Sequence, residues 1–138
     1  MPLAAPRSVY DAMLRGARCA CPACGKGRLF RAFLKVADTC PSCGEDLSHQ
    51  RADDAPAYFT MFVVGHVIVG GVLAVERAFA PDIWLQLALW LPLTVIMSLA
   101  LLQPIKGILI GLQWALRMHG FGQQPDPAID AEPWRGGR

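Results

Sequence analysis

The chain has 138 residues, 54% of them hydrophobic and only 17% charged, with a net charge of +2. Soluble domains carry about 25% charged residues, so this balance argues against an ordinary soluble globular protein and towards a membrane protein. A net charge this small, with six acids among the basic residues before Ala57, also argues against a nucleic-acid-binding module as the main role.

Residues 1–7 (MPLAAPR) open the chain as a loose Pro/Ala stretch. In SVYDAMLRGAR, Ser8 and Asp11 are spaced like a capping box, and Val9, Met13 and Leu14 recur at helical spacing. A short amphipathic helix is expected, lying along a membrane surface or packed as in a soluble protein. Residues 1–18 form this N-terminal segment. No apolar run of signal-peptide length occurs in the first thirty residues, so the segment is expected on the cytoplasmic side.

Residues 19–50 form a cysteine module. CPACG at 21–25 returns as CPSCG at 40–44, a CxxC–x15–CxxC pattern. Two residues between thiols let both reach one ion from a single tight turn, and Gly25 and Gly44 stand where the chain takes a positive φ. Cys21, Cys24, Cys40 and Cys43 are thus expected to hold Zn²⁺ in a closed, structural site, with iron in a rubredoxin-like site as the alternative. Four thiolates on Zn²⁺ carry a formal charge of about −2, which Arg18, Lys26 and Arg28 are placed to offset. Cys19 is the odd thiol, read as a small residue without a role, the alternative being a substitute ligand or a metal-transfer thiol. The linker GRLFRAFLKVADT is apolar and basic by turns. A module this small cannot bury a large core, so its Leu29, Phe30, Phe33, Leu34 and Val36 need the metal, the membrane or a partner.

Residues 51–119 form a two-span region. Tyr58–Val75 is eighteen residues without Asp, Glu, Lys or Arg, and Ile83–Ile105 is twenty-three. ERAFAPD joins them as a short hinge. Trp84 suits an interfacial belt, and Pro92 is expected to kink the second span. KGILIGLQWALRMH, residues 106–119, either continues the second helix past Pro104 or turns to lie in the interface, and the interfacial reading is preferred. Gly107 and Gly111 form GxxxG, which suits pairing with a helix of this chain or of a partner. Residues 120–138, rich in Pro and Gly, are expected to be disordered. The fold class is a mainly α membrane protein: an N-terminal zinc ribbon, a two-helix transmembrane hairpin and a short C-terminal interfacial helix. Lys and Arg gather before the first span and after the second, while Arg77 alone lies between them, so both termini are expected in the cytoplasm.

Two further features stand beside the spans. Asp53, Asp54, Pro56 and Tyr58 precede or open the first span, as a helix start or as a polar docking patch. His66 lies in mid-span, where an ionisable group is a functional candidate. It is either a metal or haem ligand, or a neutral imidazole bonded to the second helix or to a partner subunit. There is no nucleophile–base pattern or phosphate loop, so no enzymatic activity is expected.

CPACGKGRLFRAFLKVADTCPSCG followed by RADDAPAYFTMFVVGHVIVG resembles the bacterial membrane-protein family called domain of unknown function 983, over roughly Arg15 to Gly120. The doubled knuckle, FLKV, and Asp53, Asp54, Pro56, Ala57, Tyr58 and Phe59 carry the resemblance, with Ala55 where Gly is expected. It implies a multi-pass protein of the bacterial inner membrane, of alphaproteobacterial type. Genes of such proteins often neighbour those for cytochrome c oxidase subunits and assembly factors. The resemblance thus implies an accessory or assembly role, with the lipid bilayer and another integral membrane protein or respiratory complex as partners. The alternative is a membrane-bound iron redox or metal-transfer protein, and a tethered nucleic-acid-binding ribbon ranks last.

Overall fold

A computed structural model describes residues 6–51 and 54–121. Three α-helices organise them: α1 (Val9–Ala17), α2 (Ala55–Phe79) and α3 (Ile83–Ala115), with a short 3₁₀ turn at Met118–Gly120. The cysteine module lies between α1 and α2 and is built on isolated antiparallel bridges rather than full strands.

Helix α3 is the spine of the molecule. At 1.5 Å per residue its 33 residues extend about 50 Å, against a bilayer hydrocarbon layer of about 30 Å. The first twenty or so residues from Ile83 therefore suffice to cross, and the rest project beyond. Pro92 and Pro104 both lie inside the helix, which continues through them. Residues 106–115, expected to turn aside as a separate interfacial helix, instead prolong α3 to Ala115. The physical reason lies in the packing: this extension is covered by α1 on one side and by the cysteine module on another, so it needs no membrane surface to bury its apolar residues.

Helix α2 runs antiparallel along the lower part of α3. It starts at Ala55 with Pro56 in its first turn, a position that needs no backbone donor. Asp54 sits at the N-cap position, but its side chain makes no capping bond. Ala80, in the left-handed region at φ 40°, ends the helix and opens the hinge. Gly71 lies flat against the Trp90 ring, and nearer the hinge Gln86 donates to Glu76. Both helices are long and apolar enough to cross a membrane, with mean hydropathies of 2.0 and 2.1. A soluble core helix of that composition would be mostly buried. Here no residue in the most apolar stretch of α3 is fully buried and only 11% of that of α2 is, so most of both faces outward as a surface that only lipid or another apolar protein suits. Trp84, in the first turn of α3, is 74% exposed, as an interfacial aromatic would be.

Helix α1 runs antiparallel along the extension of α3. The Ser8 hydroxyl accepts from the Asp11 amide at 3.3 Å, which makes Ser8 the N-cap the sequence announces. Gly16 meets Gly107, and Ala12 meets Gly111, backbone against backbone. The GxxxG of α3 thus finds its partner within the same chain. At the far end the Arg7 guanidinium stacks 4.1 Å over the Trp114 ring and donates to the Trp114 carbonyl at 2.8 Å.

The core joins the cysteine module to this extension. Leu29, Phe30 and Leu47 are buried with Cys21 and Cys40 against Ile110 of α3 and Phe121, with Leu109 and Trp114 at the edge. The module borrows from α3 the apolar surface it cannot supply alone. Polar straps hold the joint: Lys106 donates to the Leu34 carbonyl at 2.8 Å, and Trp114 to Glu45 at 3.0 Å. The Gln113 amide pairs both ways with the Arg51 backbone, at 2.9 and 3.1 Å. Phe121 is fully buried, its ring edge-on to His49, so packed structure reaches into the first residues of the expected disordered tail. Residues 122–138 lie outside the described residues.

Candidate metal centre

The two knuckles fold the same way, because the same residues impose the same turn. In the first, the Gly25 amide donates to the Cys21 carbonyl at 2.8 Å. In the second, Gly44 donates to Cys40 at 3.0 Å. Both glycines take the positive φ anticipated for them, 70° and 75°. Each knuckle is closed at its base by a backbone bond, Cys21 to Gly27 and Cys40 to Glu45, both 2.9 Å. The bridges Ala20–Arg28 and Thr39–Asp46 continue the pairing outward, and Phe30–Val36 closes the connection between knuckles.

This places four sulfurs around one point. The Sγ atoms of Cys21, Cys24, Cys40 and Cys43 all lie within 4.8 Å of one another. Cys21 and Cys43 stand 3.7 Å apart, as do Cys24 and Cys40. Four sulfurs at about 2.3 Å from a central ion have a tetrahedral edge of about 3.8 Å, which these two pairs already match, so the cluster suits a tetrahedral metal. No disulfide links any of the cysteines.

The surrounding backbone favours thiolates. The amides of Lys26 and Gly27 point at Cys24 Sγ at 3.4 and 3.5 Å, and that of Ser42 at Cys40 Sγ at 3.4 Å. The Gly27 and Lys26 amides bring the Cys24 thiol down to about 6. For Cys40, burial pushes upward, but the Cys43 and Ser42 amides outweigh it and hold the thiol below its ordinary value. Burial pushes Cys21 and Cys43 up. A cation at the centre would favour the thiolate of all four and displace the protons they carry.

Gly27 and Arg15 belong to this centre, although the knuckle pattern does not single them out. A Cβ on Gly27 would overlap the Cys40 sulfur, so the second knuckle seats only over a glycine. Arg15 reaches from α1 to donate to the Pro22 and Ala23 carbonyls at 3.2 and 3.0 Å, fixing the first knuckle to the helix. The spacing CxxCGxG carried the signal for Gly27; nothing local marks Arg15.

The knuckle glycines separate strain from crowding. Alanine at either φ costs about 1 kcal/mol or slightly more. At Gly44 the new Cβ has nothing within 4 Å, whereas at Gly25 it falls 3.1 Å from Arg15 Nε. Gly25→Ala is therefore expected to weaken metal retention in a chelator titration more than Gly44→Ala. Equal losses would contradict the role given to Arg15.

The other candidates lie elsewhere. Cys19 is outside the sulfur cluster, half-buried at φ 58°, its thiol pushed up by burial. Asp53 lies outside the described residues. Asp54 and Tyr58 are exposed at the start of α2, and Pro56 is buried, so these residues do not form one continuous patch. His66 does not bond to α3. Its Nδ1 is 2.7 Å from the Phe62 carbonyl of its own helix, and its ring is exposed on the face turned away from α3. Arg18 and Arg28, expected to offset the thiolate charge, line a recess with Arg31 that none of the four ligand cysteines lines.

A family model described as "Protein of unknown function (DUF983)" matches residues 30–114, from the linker between the knuckles through α2 and α3 to Trp114. Neither a curated protein nor a solved structure was found to match the chain.

Proposed function

The chain belongs to the DUF983 family, and on that premise we propose that it is a non-enzymatic, membrane-anchored zinc-ribbon protein that docks on a membrane complex. The partner we infer is a respiratory complex such as cytochrome c oxidase, which the chain serves as an accessory or assembly factor in the bacterial inner membrane. Both termini face the cytoplasm in this reading, because Lys and Arg flank the spans on that side and a reducing compartment keeps the thiols free for metal. Zinc is assigned over iron because the site serves as a structural joint between ribbon, α1 and α3, for which a redox-inert ion suffices.

The observation that carries the docking reading is the outer face of α2. Tyr58, Met61, Phe62, Gly65, His66, Val69, Gly70 and Leu73 line one open groove along it. Nothing lies within 4 Å of a Cβ placed on Gly65 or Gly70. A carbonyl can only accept, so in the bond to Phe62 the proton sits on His66 Nδ1, and in the neutral imidazole Nε2 then keeps a lone pair with no bond among the described residues. Leaving that nitrogen unpaired in hydrocarbon costs on the order of a few kcal/mol, which a donor on a partner helix would offset. The glycines beside it would let such a helix approach closely.

The test is purification from native membranes in mild detergent, with metal and co-purifying proteins analysed together. One zinc per chain with oxidase subunits or their assembly factors is expected. His66→Leu is expected to lose those proteins while keeping the zinc. Iron, or labile sub-stoichiometric metal with no partner, would replace this reading with the redox or metal-transfer one.

A further inference from the structure

Arg18, Arg28 and Arg31 come from separate parts of the chain and line one recess of about 400 Å³, with Gln103 of α3 on its wall. Ligand sites are commonly about 300–1,000 Å³. Backbone pairing fixes their positions. Arg18 is the C-cap of α1, Arg28 is bridged to Ala20, and Arg31 follows the Phe30–Val36 bridge, its amide bonded to the Lys35 carbonyl at 2.9 Å. Phe30, buried beneath, completes the wall. No acid lines the recess, and none of the three guanidiniums has an ion-pair partner among the described residues. Three like charges held together repel one another unless an anion lies between them. Guanidinium forks are suited above all to phosphate and carboxylate oxygens.

The height of the recess says which anion. Gln103 lies two residues before the end of the charge-free run Ile83–Ile105, about where a 30 Å layer entered at Ile83 would be left. One turn on, Lys106 ties down the Leu34 carbonyl. Next to Leu34 is Phe33, 50% exposed. The recess thus opens at the level of lipid phosphates, beside an aromatic ring placed to enter the acyl boundary.

We propose that this recess binds the phosphate headgroup of an anionic phospholipid, of the phosphatidylglycerol class, and so fixes the ribbon and α1 against the membrane surface. A zwitterionic lipid is disfavoured, because no carboxylate lines the recess to meet its ammonium group. The proposal rests on α2 and α3 as membrane spans and is independent of the docking partner.

The full metal-loaded chain in detergent would be titrated with phosphatidylglycerol or phosphatidylcholine and retained lipid read by native mass spectrometry. Phosphatidylglycerol is expected to be retained preferentially. Replacing Arg18, Arg28 and Arg31 together by Gln is expected to reduce that preference roughly 10- to 100-fold at unchanged metal content. Lys26→Gln removes the same charge from the same module outside the recess and is expected to keep it. If the triple variant loses metal, Arg31→Gln alone decides, with an expected loss of roughly 5-fold. Equal retention of the two lipids, or a preference untouched by the Arg variants, would overturn the proposal. Displacement of the lipid by inorganic phosphate at equal concentration would overturn the lipid as ligand in favour of a free ion. A chain that stays dissolved without detergent would instead overturn the assignment of the spans.

Discussion

Cys24→Ser is expected to abolish metal binding and unfold residues 19–47 while leaving α2 and α3 helical. One thiolate of four is lost, and with it the closed tetrahedral shell. Binding of structural zinc supplies roughly 10–16 kcal/mol in small zinc modules, and that free energy is folding free energy. Little remains to replace it: apart from the cysteines, the ribbon's own part of the core is Leu29, Phe30 and Leu47, and Ile110 and Phe121 outside it complete that core. Isolated bridges add no continuous ladder. The spans persist because their backbone bonds are internal to each helix. Thiol labelling reads the outcome. In the metal-loaded parent only Cys19 should react, whereas in Cys24→Ser all four remaining cysteines should. Cys19→Ser should leave metal content unchanged, since Cys19 is outside the cluster. A Cys24→Ser chain that kept full metal and a protected ribbon would show that the four-thiolate assignment is wrong.

Gly107→Val is expected to detach α1 from α3. The Cβ itself, before any rotamer choice, would overlap the Gly16 carbonyl, and a Cβ on Gly16 would overlap Gly107 in return. Both colliding groups are backbone, so no side chain can move aside. Overpacking a well-filled core typically costs about 1–3 kcal/mol, and a backbone-to-backbone collision belongs at or above the upper end. The loss would extend past the seam. Arg15 would leave the Pro22 and Ala23 carbonyls, and Arg7 would leave Trp114. The four sulfurs stay within one module, so metal would be retained but yielded to a chelator more readily. Hydrogen exchange over residues 9–17 should rise to near that of free peptide. Gly65→Val is the control: a Cβ there has nothing within 4 Å, so α1 exchange should be unchanged. Continued protection of α1 in Gly107→Val would contradict the seam.

Where sequence reasoning succeeded, the signal was local. The doubled CxxCG knuckle dictates its own turn, Ser8 caps the helix it precedes, and the charge-free runs lie within α2 and α3. It failed where an element's environment came from remote residues. Lys106, Arg117 and Pro104 made residues 106–119 look like a separate amphipathic piece. Yet Lys106 is spent on the Leu34 carbonyl, and Pro104 is accommodated inside α3. A helix covered on two sides shows no single apolar stripe, so periodicity could not reveal the extension. The GxxxG was legible, but its partner was not, because Ala12 and Gly16 read as ordinary small residues of a short helix. Arg18, Arg28 and Arg31 look like dispersed surface charge until the bridges bring them to one recess.

The account turns on one ion joining two knuckles, and the most direct measurement is metal stoichiometry with X-ray absorption on the purified full-length chain. One zinc per chain, surrounded by four sulfurs at about 2.3 Å, is the predicted result. Iron at the site, a shell containing nitrogen or oxygen, or markedly less than one metal per chain would contradict it.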